Sequence, residues 1–106
     1  MSNSSRLQYP NSKQYILTIP KNLVLLMRWK EKDIISFSMD GKAVHLDRQA
    51  EKSGVFSVLQ YPQRRQYLLT IPKTLVELKG WKKSEKIIFM LDEDGRLMIK
   101  GCRNEQ

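Results

Sequence analysis

LQYPNSKQYILTIPKNLV, residues 7–24, returns as LQYPQRRQYLLTIPKTLV at residues 59–76. The shift is 52 positions (Leu7 to Leu59), and it holds without a gap through Asp40 and Asp92. Identical pairs include Tyr9/Tyr61, Pro10/Pro62, Tyr15/Tyr67, Thr18/Thr70, Lys21/Lys73, Trp29/Trp81 and Phe37/Phe89. A repeat of this period is one supersecondary unit that needs its neighbour to bury its apolar face. A unit of this size cannot bury enough apolar surface to stand alone. The two copies are therefore expected to pack together as a pseudo-symmetric pair in one chain.

Within one unit the pattern reads strand, short helix, hairpin. Tyr15, Leu17 and Ile19 alternate with Ile16 and Thr18, all strand-forming residues. Pro20 stops that strand because it has no N–H for a ladder, and it suits the start of a helix. Leu23, Val24, Leu26 and Met27 then fall at helical spacing and predict one apolar stripe over about two turns. So short a helix must be held by packing, and Trp29 is the expected anchor, as is Trp81 in the second copy. Ile35, Phe37 and Met39 predict a second strand, Asp40-Gly41 a tight turn, and Val44 and Leu46 the return strand. The second copy repeats this with Ile87, Phe89 and Leu91, a longer turn at Asp92-Glu93-Asp94-Gly95, and Leu97 and Ile99 returning. The polar join from Asp47 to Gly54 is expected to be a linker.

The bulk numbers narrow the function. The chain has 106 residues, 41% of them apolar, enough for one compact unit. Nineteen Lys and Arg against eleven Asp and Glu give net +8. Each half carries +4, so both present a similar field that attracts a polyanion. The one cysteine, Cys102, cannot form an intrachain disulfide, which fits a reducing cytoplasm. No apolar run approaches membrane-spanning length and the N-terminal residues are polar, so a cytoplasmic protein without leader or membrane contact is expected.

The string T-I-P-K-x-L-V, followed by Trp-Lys, an acidic residue and I-I-x-F, resembles the AbrB/MazE/SpoVT domain family. The residues that carry the resemblance are Thr18, Ile19, Pro20, Lys21, Leu23, Trp29 and Asp33, then Thr70, Ile71, Pro72, Lys73, Leu75, Gly80, Trp81 and Glu85. The resemblance implies a mainly β fold with short helices: a swapped-hairpin AbrB-like β-barrel, formed by repeats at residues 7–48 and 57–102 as an intrachain pseudo-dimer. It also implies double-stranded DNA as ligand. The chain departs from the family where Gly-Gln or Gly-Arg often precedes the strand, since Tyr15-Ile16 and Tyr67-Leu68 stand there. Arginines that some members carry on the helix fall here on Val24-Leu25 and Val76-Glu77. The family's particular DNA-contacting residues therefore do not carry over.

Basic groups supply the candidates instead. Lys13, Arg64 and Arg65 follow the Tyr-Pro turns, and the two-fold would let both loops face a duplex; arginine suits phosphate and guanine edges. Lys21 and Lys73 sit in the first helical turn, where a cation is unfavourable for the helix and phosphate contact gives it another reason. Arg28, Lys30, Lys82 and Lys83 flank the tryptophans and either extend the patch or solubilise the surface. Tyr9, Tyr15, Tyr61 and Tyr67 are interleaved with these cations and read first as half-buried strand positions, second as base or sugar contacts. His45 is the one histidine, with Ile99 as its repeat partner after the longer turn; one His and one Cys build no metal cluster. Neither a nucleophile–base set nor a Gly-rich phosphate loop is present, so no catalytic residue, metal, cofactor or small-molecule substrate is expected.

The sequence thus points to a sequence-selective DNA-binding transcriptional regulator rather than an enzyme, with a homodimer as a possible further assembly. Two alternatives stand beside it. An antitoxin would bind operator DNA and add a toxin-wrapping tail, for which residues 101–106 are too short. A protein-interaction module would use the same fold without DNA, because fold does not fix function.

Overall fold

A computed structural model describes residues 3–102. The first strand predicted from the motif is β2 below, because a strand precedes it. Residues Asn3–Arg6 form β1, Tyr15–Ile19 β2, Lys21–Met27 helix α1, Ile34–Asp40 β3 and Ala43–Gln49 β4. The second half follows with β5 (Phe56–Val58), β6 (Tyr67–Ile71), α2 (Lys73–Lys79), β7 (Lys86–Leu91) and β8 (Leu97–Gly101). The chain is mainly β, with two helices of seven residues each.

Each local switch has a cause in the sequence. Pro20 and Pro72 cap the helices with extended backbone (φ −54°, ψ 134° in both), and their carbonyls accept from the N–H groups three and four residues on. Arg28 and Gly80 end the helices in left-handed conformation, at φ 60° and 72°. The N–H of Trp29 then reaches back to the Val24 carbonyl (3.0 Å), as that of Trp81 does to Val76. This closes two orphan carbonyls and turns each indole inward. The acidic residue of the motif holds the next turn: the Lys30 N–H donates to the Asp33 carboxylate (2.7 Å), and the Lys82 N–H to Glu85 (2.9 Å).

Two sheets result. Six strands run in the order β1-β7-β8-β4-β3-β5 and curl into a half-barrel, and β2 pairs with β6 in a separate antiparallel ribbon. The pairing interleaves the halves. β1 lies on β7, with Ser4 opposite Ile88, and β5 lies on β3, with Phe56 opposite Ser36. These two registers map onto each other by the same 52-residue shift. The α–β turns also cross over, since Leu7 bonds to Ser84 and Glu85 while Leu59 bonds to Lys32 and Asp33. Ribbon and sheet are tied by Ser5, whose hydroxyl donates to the Thr18 carbonyl (2.6 Å), and by Ser57, which donates to that of Thr70. Gln8 pairs with Ile16 and Gln60 with Leu68 beside them.

The relating axis can be read from the register. Leu17 pairs with Leu69, its own equivalent, in the ribbon; His45 pairs with Met98 on the β4–β8 seam. One buried cluster takes Leu17, Ile19, Ile35, Trp29 and Phe37 from the first half and Leu69, Ile71, Ile87, Trp81 and Phe89 from the second. Both tryptophans are buried, as expected of anchors.

Several expectations need correction. Leu26 is 59% exposed: α1 buries Leu23 and Val24 and half-buries Met27, and Leu26 lies off that arc. Leu25 is exposed too. The join is shorter than expected, because β4 continues through Asp47–Gln49 by pairing with Ile34–Ser36. The β3–β4 turn centres on Gly41 and Lys42, between the paired Asp40 and Ala43. His45 corresponds to Met98, not Ile99. Phe37 pairs with Leu46 and Phe89 with Ile99, so the longer turn shifts the return strand by one residue.

Candidate nucleic-acid interface

The β2–β6 ribbon positions the cations singled out from the sequence. Leu17, Ile19, Leu69 and Ile71 point into the core, leaving Ile16, Thr18, Leu68 and Thr70 half-buried on the other face. The ribbon's outer edges carry Gln8 and Gln60, and the chain leaves each of these into a Tyr-Pro turn. Both turns are therefore fixed to one ribbon, one on each side of the two-fold.

The turns are unusual in backbone. Asn11 and Ser12 have φ 56° and 53°; Gln63 and Arg64 have 54° and 55°. Two successive left-handed residues without glycine cost roughly 1–2 kcal/mol each. Aromatic stacking offsets part of this. Tyr9 stacks on Tyr15 with centroids 4.1 Å apart, and Tyr61 on Tyr67 at 4.0 Å. Such pairs contribute about 1 kcal/mol beyond their burial. Tyr15 and Tyr67 also pack against the core, so the strand reading of these residues holds, with Tyr9 and Tyr61 half-buried upon them.

Lysines from the opposite half complete each cluster. Lys21 reaches over the Tyr61 ring, with Nζ 5.6 Å from its centroid, and Lys73 over Tyr9, at 5.9 Å. The cause is topological: Ile19 pairs with Tyr67, so the chain leaving β2 emerges beside the turn of the second half. The Tyr9 hydroxyl holds the Lys73 ammonium above its ordinary value, keeping it charged. Each cluster thus sets a lysine over two stacked tyrosines, Lys73 with Tyr9 and Tyr15 and Lys21 with Tyr61 and Tyr67, beside a turn that carries Lys13 in the first half and Arg64 and Arg65 in the second. Four residues at about 3.4 Å rise separate Tyr15 from the level of Tyr67, so the two stacked pairs are offset by roughly 14 Å along the ribbon.

All nine basic candidates are exposed. Lys13, Lys21, Arg64, Arg65 and Lys73 gather at the ribbon ends. Arg28, Lys30 and Lys82 do not share these contacts. Arg28 stands at the far end of α1, roughly 10 Å from Lys21 at 1.5 Å per helical residue. Lys30 and Lys82 occupy the acid-capped turns. One cation, Arg6, escaped the sequence reading of the interface. Arg6 donates to the Ser84 carbonyl (3.0 Å), and together with Lys83 it lines a groove beside Tyr9, Pro10 and Asn11. Arg6 lies ahead of the repeat as read and its equivalent is Val58, so comparing the copies gave no signal for it.

The acidic turn is engaged elsewhere. One Asp92 carboxylate oxygen accepts from the N–H groups of Asp94 (2.8 Å) and Arg96 (2.9 Å), and the other lies 3.0 Å from His45 Nε2. These bonds, led by that from Arg96, hold the Asp92 carboxyl below its usual range. Arg96 in turn forms a two-pronged pair with Asp47 on β4 (2.7 and 3.1 Å). These contacts join the halves across the β4–β8 seam. Among the described residues, no three metal-ligating side chains converge, and no helix is long and apolar enough to cross a membrane. Compared with known protein families, curated proteins and solved structures, the chain gives no match.

Proposed function

We propose that this protein is a double-stranded DNA-binding transcriptional regulator, and that its interleaved halves form the swapped-hairpin barrel of the AbrB/SpoVT type within one chain. The observation that carries the reading is the pair of cation–tyrosine clusters at the two ends of the β2–β6 ribbon. Each is built from both halves and mirrored through Leu17/Leu69. Two like-charged clusters on one ribbon suit a duplex whose phosphates recur in a regular array. The exchange of β1 and β5 between halves, with identical registers, supports the swapped arrangement. Phosphate contacts would supply most of the affinity, from Lys13, Lys21 and Lys73, and Arg64 and Arg65 would add base-edge contacts.

The test is anisotropy titration of a labelled duplex at low salt with the intact chain and with Arg64→Ala/Arg65→Ala. Both side chains are exposed, so the variant should keep its unfolding midpoint and lose affinity at least tenfold. Equal affinity in the two proteins would refute the placement of the interface.

A further inference from the structure

The geometry points to a directional, non-palindromic DNA site, with guanine read on one side only. This deepens the DNA-binding reading and rests on it. The backbones of the two Tyr-Pro turns superimpose in their angles: Tyr9 and Tyr61 have φ/ψ of −138°/64° and −139°/63°, Asn11 and Gln63 56°/21° and 54°/19°. The stacked rings and overlying lysines agree as closely. The scaffold therefore presents two equivalent positions to a ligand.

The side chains on that scaffold are not equivalent. The first turn carries Asn11-Ser12-Lys13 and the second Gln63-Arg64-Arg65. Lysine is a flexible point charge, which suits a phosphate and discriminates little among bases. Arginine offers a planar fork that matches guanine O6 and N7 in the major groove. The backbone N–H groups of Arg64 and Arg65 bond within the turn, but among the described residues no hydrogen bond or ion pair engages either guanidinium, so both forks are open to a ligand. Arg6, at the other end, already donates to Ser84. A dimer of identical chains would present the same turn twice and favour a palindrome. Two copies in one chain are released from that constraint, and here they have diverged at the residues most able to read bases. The half-site under Arg64 and Arg65 is then guanine-dependent, while the one under Ser12 and Lys13 is held by phosphate alone.

The experiment is selection of the full chain against a duplex library randomised over 20 base pairs, after binding to bulk duplex has been measured at low salt. The native chain should enrich a motif with guanine on one side of its centre. Replacing those guanines should weaken binding about tenfold or more, and equivalent changes on the other side should not. Arg64→Ser/Arg65→Lys should erase the guanine preference, with bulk duplex still bound at low salt through Lys13, Lys21 and Lys73. Ser12→Arg/Lys13→Arg should convert the enriched motif to a palindrome; position 12 has the same backbone as Arg64, so the graft fits. A palindrome from the native chain, enrichment of no motif at all, or a guanine preference that survives the Arg64/Arg65 change would overturn directionality and leave DNA binding standing. No binding to bulk duplex at low salt would overturn both.

Discussion

Arg28 and Gly80 occupy one structural position in the two halves, and exchanging their character should move stability in opposite directions. Both end a seven-residue helix in left-handed backbone, at φ 60° and 72°, and both donate N–H bonds to the last-turn carbonyls. A side chain at such a φ costs roughly 1–2 kcal/mol through the clash of Cβ with the neighbouring carbonyl. Glycine escapes that clash but loses about 0.4–1 kcal/mol through the greater freedom of the unfolded chain. Arg28→Gly should therefore stabilise the protein by about 0.5–1 kcal/mol. Gly80→Ala should destabilise it by about 1 kcal/mol. With an unfolding entropy of roughly 2.1 cal/mol/K per residue, 1 kcal/mol corresponds to about 4–5 °C in a chain of this length. Thermal unfolding followed by circular dichroism resolves this, with denaturant titration to check that the m-value is unchanged. If Arg28→Gly melted below the native chain, or both substitutions shifted the midpoint the same way, the equivalence of the two helix ends would be refuted.

Three further outcomes follow from the packing and the charges. Trp29→Ala and Trp81→Ala should each cost about 3–5 kcal/mol in a single transition seen equally by probes in either half; two separate transitions would show that the halves do not share one core. The Asp92 carboxyl is held below its ordinary value, so the native state binds its proton less readily than the unfolded chain does, and the stability it contributes is present above the usual carboxylate range and lost as pH falls through it. Chemical denaturation from pH 6 to pH 3 should accordingly show a shallower fall for Asp92→Asn than for the native chain; parallel curves would show that the Asp92 bonds carry no linkage. Lys21→Met and Lys73→Met should weaken duplex binding alike for every sequence and lower the salt slope by about 0.9 each, so a loss confined to one sequence would assign these lysines to base contacts instead.

Much of the unit could be read from residue pattern alone. The Ile19-Pro20 and Ile71-Pro72 switches, the two-turn helices, the buried tryptophans and the two hairpins are all local events set by proline, apolar period and turn glycine. The elements that escaped are those made by pairing. β1 is Asn-Ser-Ser-Arg, with no strand propensity in its pattern, and it is extended because β7 offers it an edge. β4 runs through the polar Asp47-Arg48-Gln49 for the same reason. The exchange of β1 and β5 between halves leaves no local trace, although the repeat made a shared core necessary. At the candidate interface, residue type singled out cations, but not which of them meet. That Lys21 lies over Tyr61 and Lys73 over Tyr9 follows only from the antiparallel register of β2 on β6, which places the end of one strand beside the start of the other. The protruding Leu26 of α1 could not be told from core by spacing, because a helix this short buries a narrower arc than its apolar residues span.

The central claim is that the cations at the two ends of one ribbon bind a DNA duplex, Lys13, Lys21 and Lys73 gripping its phosphates while Arg64 and Arg65 meet base edges. Its most direct test is the salt dependence of duplex affinity for the native chain. Three phosphate contacts predict a log–log slope of about −2.7, or roughly a 40-fold loss of affinity between 50 and 200 mM monovalent salt. A slope near zero, or no measurable affinity at the lowest salt, would contradict it.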